Sequence, residues 1–119
     1  MAQHNELGKR GEQLARNFLE KTGYKILSTN WRHQKDELDI VAIDGEQLVI
    51  VEVKTRSTDY FGDPSEAVGP AKEQFMIRAA EAYLETKHLD IEVRYDIISV
   101  ILTGGNHRIN HIIDAFYPE

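Results

Sequence analysis

No cysteine occurs among the 119 residues, which excludes a disulfide framework and any thiolate chemistry or thiolate metal site. No apolar run approaches the roughly 20 residues of a membrane-spanning helix, and the N-terminal stretch M-A-Q-H-N-E-L-G-K-R lacks the apolar core of a secretion signal. A cytoplasmic protein with no membrane partner is therefore expected. Repeats and low-complexity stretches are absent too, and the length suits one domain over residues 1–119 built on one modest core. Positive charge is also scarce. The net charge is −6, which argues against a tight, non-specific grip on nucleic acid. The deficit is uneven, however. Residues 1–35 hold seven Lys or Arg against three acids, whereas residues 36–119 hold seven against seventeen. A basic N-terminal third is thus joined to an acidic body.

What is abundant is β-branched apolar sequence around one turn. From Asp36 to Arg56 the chain reads D-E-L-D-I-V-A-I-D-G-E-Q-L-V-I-V-E-V-K-T-R, with Asp44-Gly45 between two apolar arms, a strong hairpin signal. A two-residue turn at Asp44-Gly45 sets Ile43 opposite Glu46 and Glu37 opposite Glu52; a four-residue turn sets Asp39 against Glu52. Because side chains alternate with period two, both registers leave Glu37, Asp39, Glu52 and Lys54 on one face. Like charges facing each other across a β pair destabilise it by roughly tenths of a kcal/mol to 1 kcal/mol when exposed, and by more when buried. A divalent cation is the usual means of cancelling such a cluster, and oxygen-only ligands select a hard ion, Mg2+ or Mn2+. An acid on one strand followed by Glu-x-Lys on the next suits metal-dependent phosphodiester hydrolysis. The carboxylates hold the ion, and the ammonium orients water or stabilises developing charge. On its own Glu-x-Lys is a weak signal; within the apolar arm Val49–Val53 it is hard to read as solvated surface.

The remaining elements frame this hairpin. Asn5 to Thr22 has the spacing of an amphipathic helix, with Leu7, Gly11, Leu14, Ala15, Phe18 and Leu19 on one face and Gly23 placed to end it. Glu12 falls at the margin of that face, within reach of the hairpin if the helix packs over it. Gly8 and Gly11 suggest close approach of another element. Tyr24 to Ser28 is a short strand, with Asn30-Trp31-Arg32 continuing beyond a bend and Trp31 in the core. Arg32, His33 and Lys35 form either a basic approach to the acids or a solvated loop. Tyr60 and Phe61 are suited to stacking on a base or to anchoring their loop. Pro70 opens a second helix to about Lys87, with Lys72 near its start where it can reach phosphate. Glu92 to Leu102 is a long strand with a lone acid in its interior, Asp96, read as an ion-pair or hydrogen-bond partner, and Arg108 to Asp114 is a final strand. The order predicts an α/β fold, a mixed β-sheet flanked by helices.

Taken together, Gly8, Gly11-Glu12, Ala15, Asn30-Trp31-Arg32, Glu37-Leu38-Asp39, Val51-Glu52-Val53-Lys54-Thr55-Arg56, Phe61-Gly62, Glu66-Ala67-Val68, Lys72 and Arg94-Tyr95-Asp96 resemble the YraN-like family of bacterial proteins. More distantly they resemble the PD-(D/E)xK nucleases, including archaeal-type Holliday junction resolvases. The resemblance implies a restriction-endonuclease-like three-layer core with Asp39, Glu52 and Lys54 as the catalytic triad. It implies Mg2+ or Mn2+ held by Asp39, Glu52 and the Val53 carbonyl, and it makes Glu12 a direct ligand or a support for the metal's waters. Arg32, Lys35, Arg56, Tyr60 and Lys72 would contact nucleic acid, DNA above all, branched or damaged. One departure is Asp36, where the family usually has glycine; it would add negative charge beside the site. The expected function is a Mg2+-dependent endonuclease, with a non-catalytic nucleic-acid-binding module as the alternative. A homodimer is a reasonable arrangement for cutting two strands.

Overall fold

The computed structural model describes residues 6–57 and 69–118. Tyr60, Phe61, the Glu66-Ala67-Val68 run and Asn5, the first residue of the expected opening helix, lie outside them. In chain order the elements are α1 (Glu6–Lys21), β1 (Lys25–His33), β2 (Asp36–Asp44), β3 (Gln47–Arg56), α2 (Pro70–Lys87), β4 (Glu92–Thr103) and β5 (Asn106–Phe116). The five strands form one sheet in sequence order, β1-β2-β3-β4-β5. Only β3–β4 is parallel; its partners are joined through α2, as parallel pairing requires a long crossover. With a helix packed on each face, the architecture is the three-layer α/β arrangement that the element order predicts.

Central strand β3 explains the layering. Leu48 and Ile50 enter a core with Met76, Ala80 and Tyr83 of α2, while Val49, Val51 and Val53 enter another with Ala15 and Leu19 of α1. Both faces are buried, so the strand is a continuous apolar run in which the buried Glu52 is the exception. Along α2, Met76 rather than Phe75 faces inward; Phe75 is 43% exposed and lies under the Arg78 guanidinium. Trp31 packs edge-on against Tyr83, their ring centroids 5.0 Å apart.

The β2–β3 turn is two residues long but lies one position later than Asp44-Gly45. Asp44 pairs with Gln47, leaving Gly45 and Glu46 at the tip. Gly45 has φ +63°, which suits glycine at the first central position of a hairpin turn. Asp44 stays in the strand because its carboxylate accepts a 2.9 Å hydrogen bond from Arg94 Nη1. The resulting register pairs Ile40 with Val51, and one further step sets Asp39 across from Glu52. First and last strands are longer than their sequence signals. β1 runs unbroken from Lys25 to His33, absorbing the bend as an irregularity between Ile26 and Ser28 and a left-handed Asn30 (φ +53°). β5 begins at Asn106, directly after the Gly104-Gly105 turn.

Gly11 fixes how α1 sits. A Cβ there would collide with Thr55 Oγ1 and lie 2.8 Å from Thr55 Cβ, so only glycine lets the helix approach β3 this closely. That contact sets Glu12, the next residue, beside the hairpin.

Candidate active site

Regular alternation breaks down at Asp39. Leu38 belongs to the core under α2 and Ile40 to the core under α1, although they are two residues apart on β2. Strand β2 therefore rotates about Asp39, and the regular β2–β3 pairing stops at Ile40–Val51. A strand end inside a protein leaves backbone donors that need partners. Asp39 supplies one: its Oδ2 accepts the Val53 N–H at 2.9 Å. Glu52, 7% exposed, lies close enough to Asp39 for the two carboxyl groups to influence each other's ionisation.

Both acids are pushed upward in pKa. Burial raises Glu52 most and the neighbouring Asp39 charge adds to it, outweighing Lys72 and Lys54, so that it titrates at about 7. Burial also raises Asp39, against the Val53 N–H and Lys72. The pair behaves as one unit that readily keeps a proton near neutrality.

This produces a definite pH dependence. Glu52 is raised from 4.5 to about 7 in the folded chain. The folded state therefore binds a proton more tightly than the unfolded chain, and stability falls as pH rises through that window. Glu52→Gln removes the titration. In urea denaturation at pH 5 and pH 8, the variant's stability relative to wild type is expected to improve by about 2–3 kcal/mol on going to the higher pH. An unchanged difference would show that Glu52 titrates normally.

Around the pair the cations and supporting groups come from both helices. Lys72 Nζ, in the first turn of α2, lies 3.5 Å from Glu52 Oε2. Lys54 follows Glu52 by two residues, so it leaves the same side of β3. On the α1 side the Asn30 amide, oriented to satisfy both its ends, donates to Glu12 Oε1 and Glu37 Oε2, each at 3.2 Å. Glu12 and Asp39 line a common pocket of about 190 Å³. Asn30 is thus the tie between Glu12 and Glu37 of β2, and its left-handed backbone is the local irregularity that turns it there.

The other expected site residues are placed less centrally. Arg32 is 64% exposed and lies 3.7 Å from Glu37. Lys35 is at the tip of the β1–β2 turn, exposed, and Arg56 closes β3. Lys72 faces Glu52 before it faces any phosphate. Asp36 does not add an unbalanced charge to the site: Arg78 of α2 grips it with two hydrogen bonds, 2.9 and 2.8 Å long, and holds its pKa below the usual carboxylate range. Sequence reasoning missed this tie, because 42 residues separate the partners and no local pattern joins them.

The donor set fits a hard divalent cation in chemistry: two adjacent, desolvated carboxylates, oxygen-only, with pKa values raised chiefly by burial. Among the described residues, no group of three or more His, Asp or Glu side chains is gathered to hold an ion. Completion would fall to the Val53 carbonyl, to water steadied by Glu12, or to substrate oxygens. No helix of the described residues is long and apolar enough to cross a membrane.

Comparison with known proteins gives a consistent result. The sequence model of the Uncharacterised protein family UPF0102 matches residues 11–100, a span that includes Glu12, Asp39, Glu52, Lys54 and Lys72. A UPF0102 protein of Bacteroides thetaiotaomicron is 54% identical over 99% of this chain and 98% of its own length. One from Flavobacterium psychrophilum is 51% identical over 98% of each chain, and one from Christiangramia forsetii is 49% identical over the same shares. A family match across most of the chain, together with near-full-length relatives at about half identity, establishes that this chain belongs to the UPF0102 family.

Proposed function

We propose that the protein is a divalent-cation-dependent endonuclease acting on DNA, of the PD-(D/E)xK kind. The observation that supports this most is the convergence of Asp39 and Glu52 at the point where the β2–β3 ladder opens, with Lys54 on the same side of β3. Asp39 and Glu52 would hold Mg2+ or Mn2+, with the Val53 carbonyl as a further ligand. The bound ion would supply an acidified water and would neutralise phosphate charge. Asp39 is pinned by the Val53 N–H, so one carboxylate is oriented before anything binds. Lys72 compensates the Glu52 charge from 3.5 Å, and a cation held by Glu52 would leave its ammonium available to phosphate. Lys54 positions its ammonium beside Glu52, where it would steady the attacking water or the negative charge that develops on phosphorus-bound oxygen.

A second reading, a nucleic-acid-binding module without catalysis, is favoured by one observation. Three acidic ligands are not assembled among the described residues, and the net charge of −6 is unhelpful to substrate affinity.

Calorimetric titration of Mg2+ and Mn2+, with and without a four-way DNA junction, distinguishes the readings. Wild type is expected to bind the ion and to cleave the junction. Asp39→Asn should weaken ion binding at least about tenfold, as loss of one carboxylate ligand and its oriented charge implies. Absence of ion binding both with and without DNA would favour the binding module.

A further inference from the structure

The wall of the carboxylate pocket that faces solvent is made by α1. Lys9, Gln13 and Arg16 line it together with Asn30 and Asp39. Their spacing, i, i+4 and i+7, puts the three on one stripe of the helix, and all three are exposed. A second, shallower cavity of about 470 Å³ runs along the outer surface of the same helix and shares Lys9 and Gln13 with the first, adding Arg10. The two adjoin at Lys9 and Gln13, and although Glu6 and Glu12 also line them, the cations Lys9, Arg10 and Arg16 mark the way from the surface of α1 to Asp39, the neighbour of Glu52. Two of the cations expected to meet nucleic acid already face acids: Lys72 faces Glu52 at 3.5 Å and Arg32 faces Glu37 at 3.7 Å. Within the stripe, Arg16 is paired with the exposed Glu20 at 3.9 Å, a surface pair of the kind that contributes little and gives way to a better anion.

Lys9 and Arg16 are seven residues apart, so their Cα atoms are about 10 Å apart along the helix axis. Phosphates follow one another at about 3.4 Å along the axis of a duplex strand, so the two cations address separate phosphates of one strand.

We propose that Lys9, Gln13 and Arg16 form a phosphate-contacting rail that carries one DNA strand past α1 to Asp39 and Glu52. The proposal rests on the nucleic-acid reading of the site. Lys9 and Arg16 neutralise phosphates on either side of the pocket, and Gln13 donates a neutral hydrogen bond between them. The segment with the greatest positive charge thereby offsets the acidic body where substrate enters.

The test is the salt dependence of binding. Affinity of the full chain for a labelled four-way DNA junction is measured by fluorescence anisotropy from 50 to 200 mM KCl without divalent ions. Wild type is compared with Lys9→Gln/Arg16→Gln and with Lys25→Gln/Lys87→Gln, which removes two exposed lysines at the other end of the sheet and of α2. The rail variant is expected to bind at least about tenfold more weakly at 100 mM, and the slope of log K against log salt should become shallower by about 1.8, or 0.9 per lost contact. The control variant should keep the wild-type slope. Equal changes in both variants, or an unchanged slope in the rail variant, would overturn the rail. Binding with the predicted slopes but no cleavage when Mg2+ is added would overturn the nuclease reading alone. A wild type that binds no DNA at 50 mM KCl would overturn both.

Discussion

Lys54→Ala is expected to reduce Mg2+-dependent cleavage of a branched DNA by at least about 100-fold while leaving the fold unchanged. The size follows from the loss of a single preorganised charge aimed at a developing anion, which removes about two to three orders of magnitude from turnover. The fold should survive because Lys54 is only partly buried and lies near the end of β3. Its removal deprives Glu52 of one of the two cations that favour its ionised form, so the carboxylate should titrate still higher. The pH–rate profile of the residual activity should then move to higher pH, a change that a purely structural role would not produce. Cleavage within tenfold of wild type would remove Lys54 from the chemistry. An unfolded Lys54→Ala would be recognised by circular dichroism, and Lys54→Met, which keeps the aliphatic stem, would then carry the measurement.

The largest effect on stability is expected away from the candidate site. Arg94→Met should destabilise the chain by about 3–5 kcal/mol in urea denaturation at pH 7. Asp96 is completely buried on β4. Its carboxylate accepts from Arg94 Nε at 3.0 Å and Nη2 at 2.9 Å and from the Asp114 N–H at 3.1 Å, and it lies 2.7 Å from His111 Nε2. Despite burial, these partners hold its pKa below the usual carboxylate range. Arg94 reaches onward to Tyr24 Oη at 2.7 Å and to Asp44, tying the residue before β1, the end of β2 and β5 together through β4. Without the guanidinium the buried carboxylate keeps hydrogen-bond partners in the His111 ring and the Asp114 N–H but loses the cation that compensates it. Small domains have only about 5–15 kcal/mol in total, so Arg94→Met should approach the limit of folding. Arg94→Met/Asp96→Leu should recover much of the loss, since removing both charges together is far less costly than orphaning one. A loss under about 1 kcal/mol for the single variant would mean that the network is dispensable.

How far the sequence foretold this arrangement depends on the range of each interaction. The faces of the hairpin were legible because period-two alternation is local, and in either even-length turn Asp39, Glu52 and Lys54 stayed together. The turn position was not, since Asp44 is held in the strand by Arg94, 50 residues away. Gly11 signalled close packing through its composition alone, and Thr55 proved to be what it approaches. Asp96 was correctly read as an ion-pair partner, but it is not a lone acid: Arg94 stands two residues before it, and an Arg-x-Asp pair in an apolar strand was the available clue. Lys72 and Arg78 offered no such clue. Each sits on an ordinary amphipathic helix, and its partner, Glu52 or Asp36, is chosen by how α2 docks on the sheet.

Because strand order follows chain order, three of the four seams of the sheet close through turns of two residues. Only β3–β4 must wait for a long connection, residues 57–91, to find its partner, and non-local pairings of this sort are the slow events of folding. Asp39, Glu52 and Lys54 all belong to the rapidly zipping hairpin, whereas Lys72 arrives with that last seam. Until then the two acids stand in water, ionised and well hydrated. Hairpin closure brings the acids together, but their removal from water is incurred late, in the step that brings Lys72 to Glu52, and alkaline conditions should slow that final closure more than any earlier one.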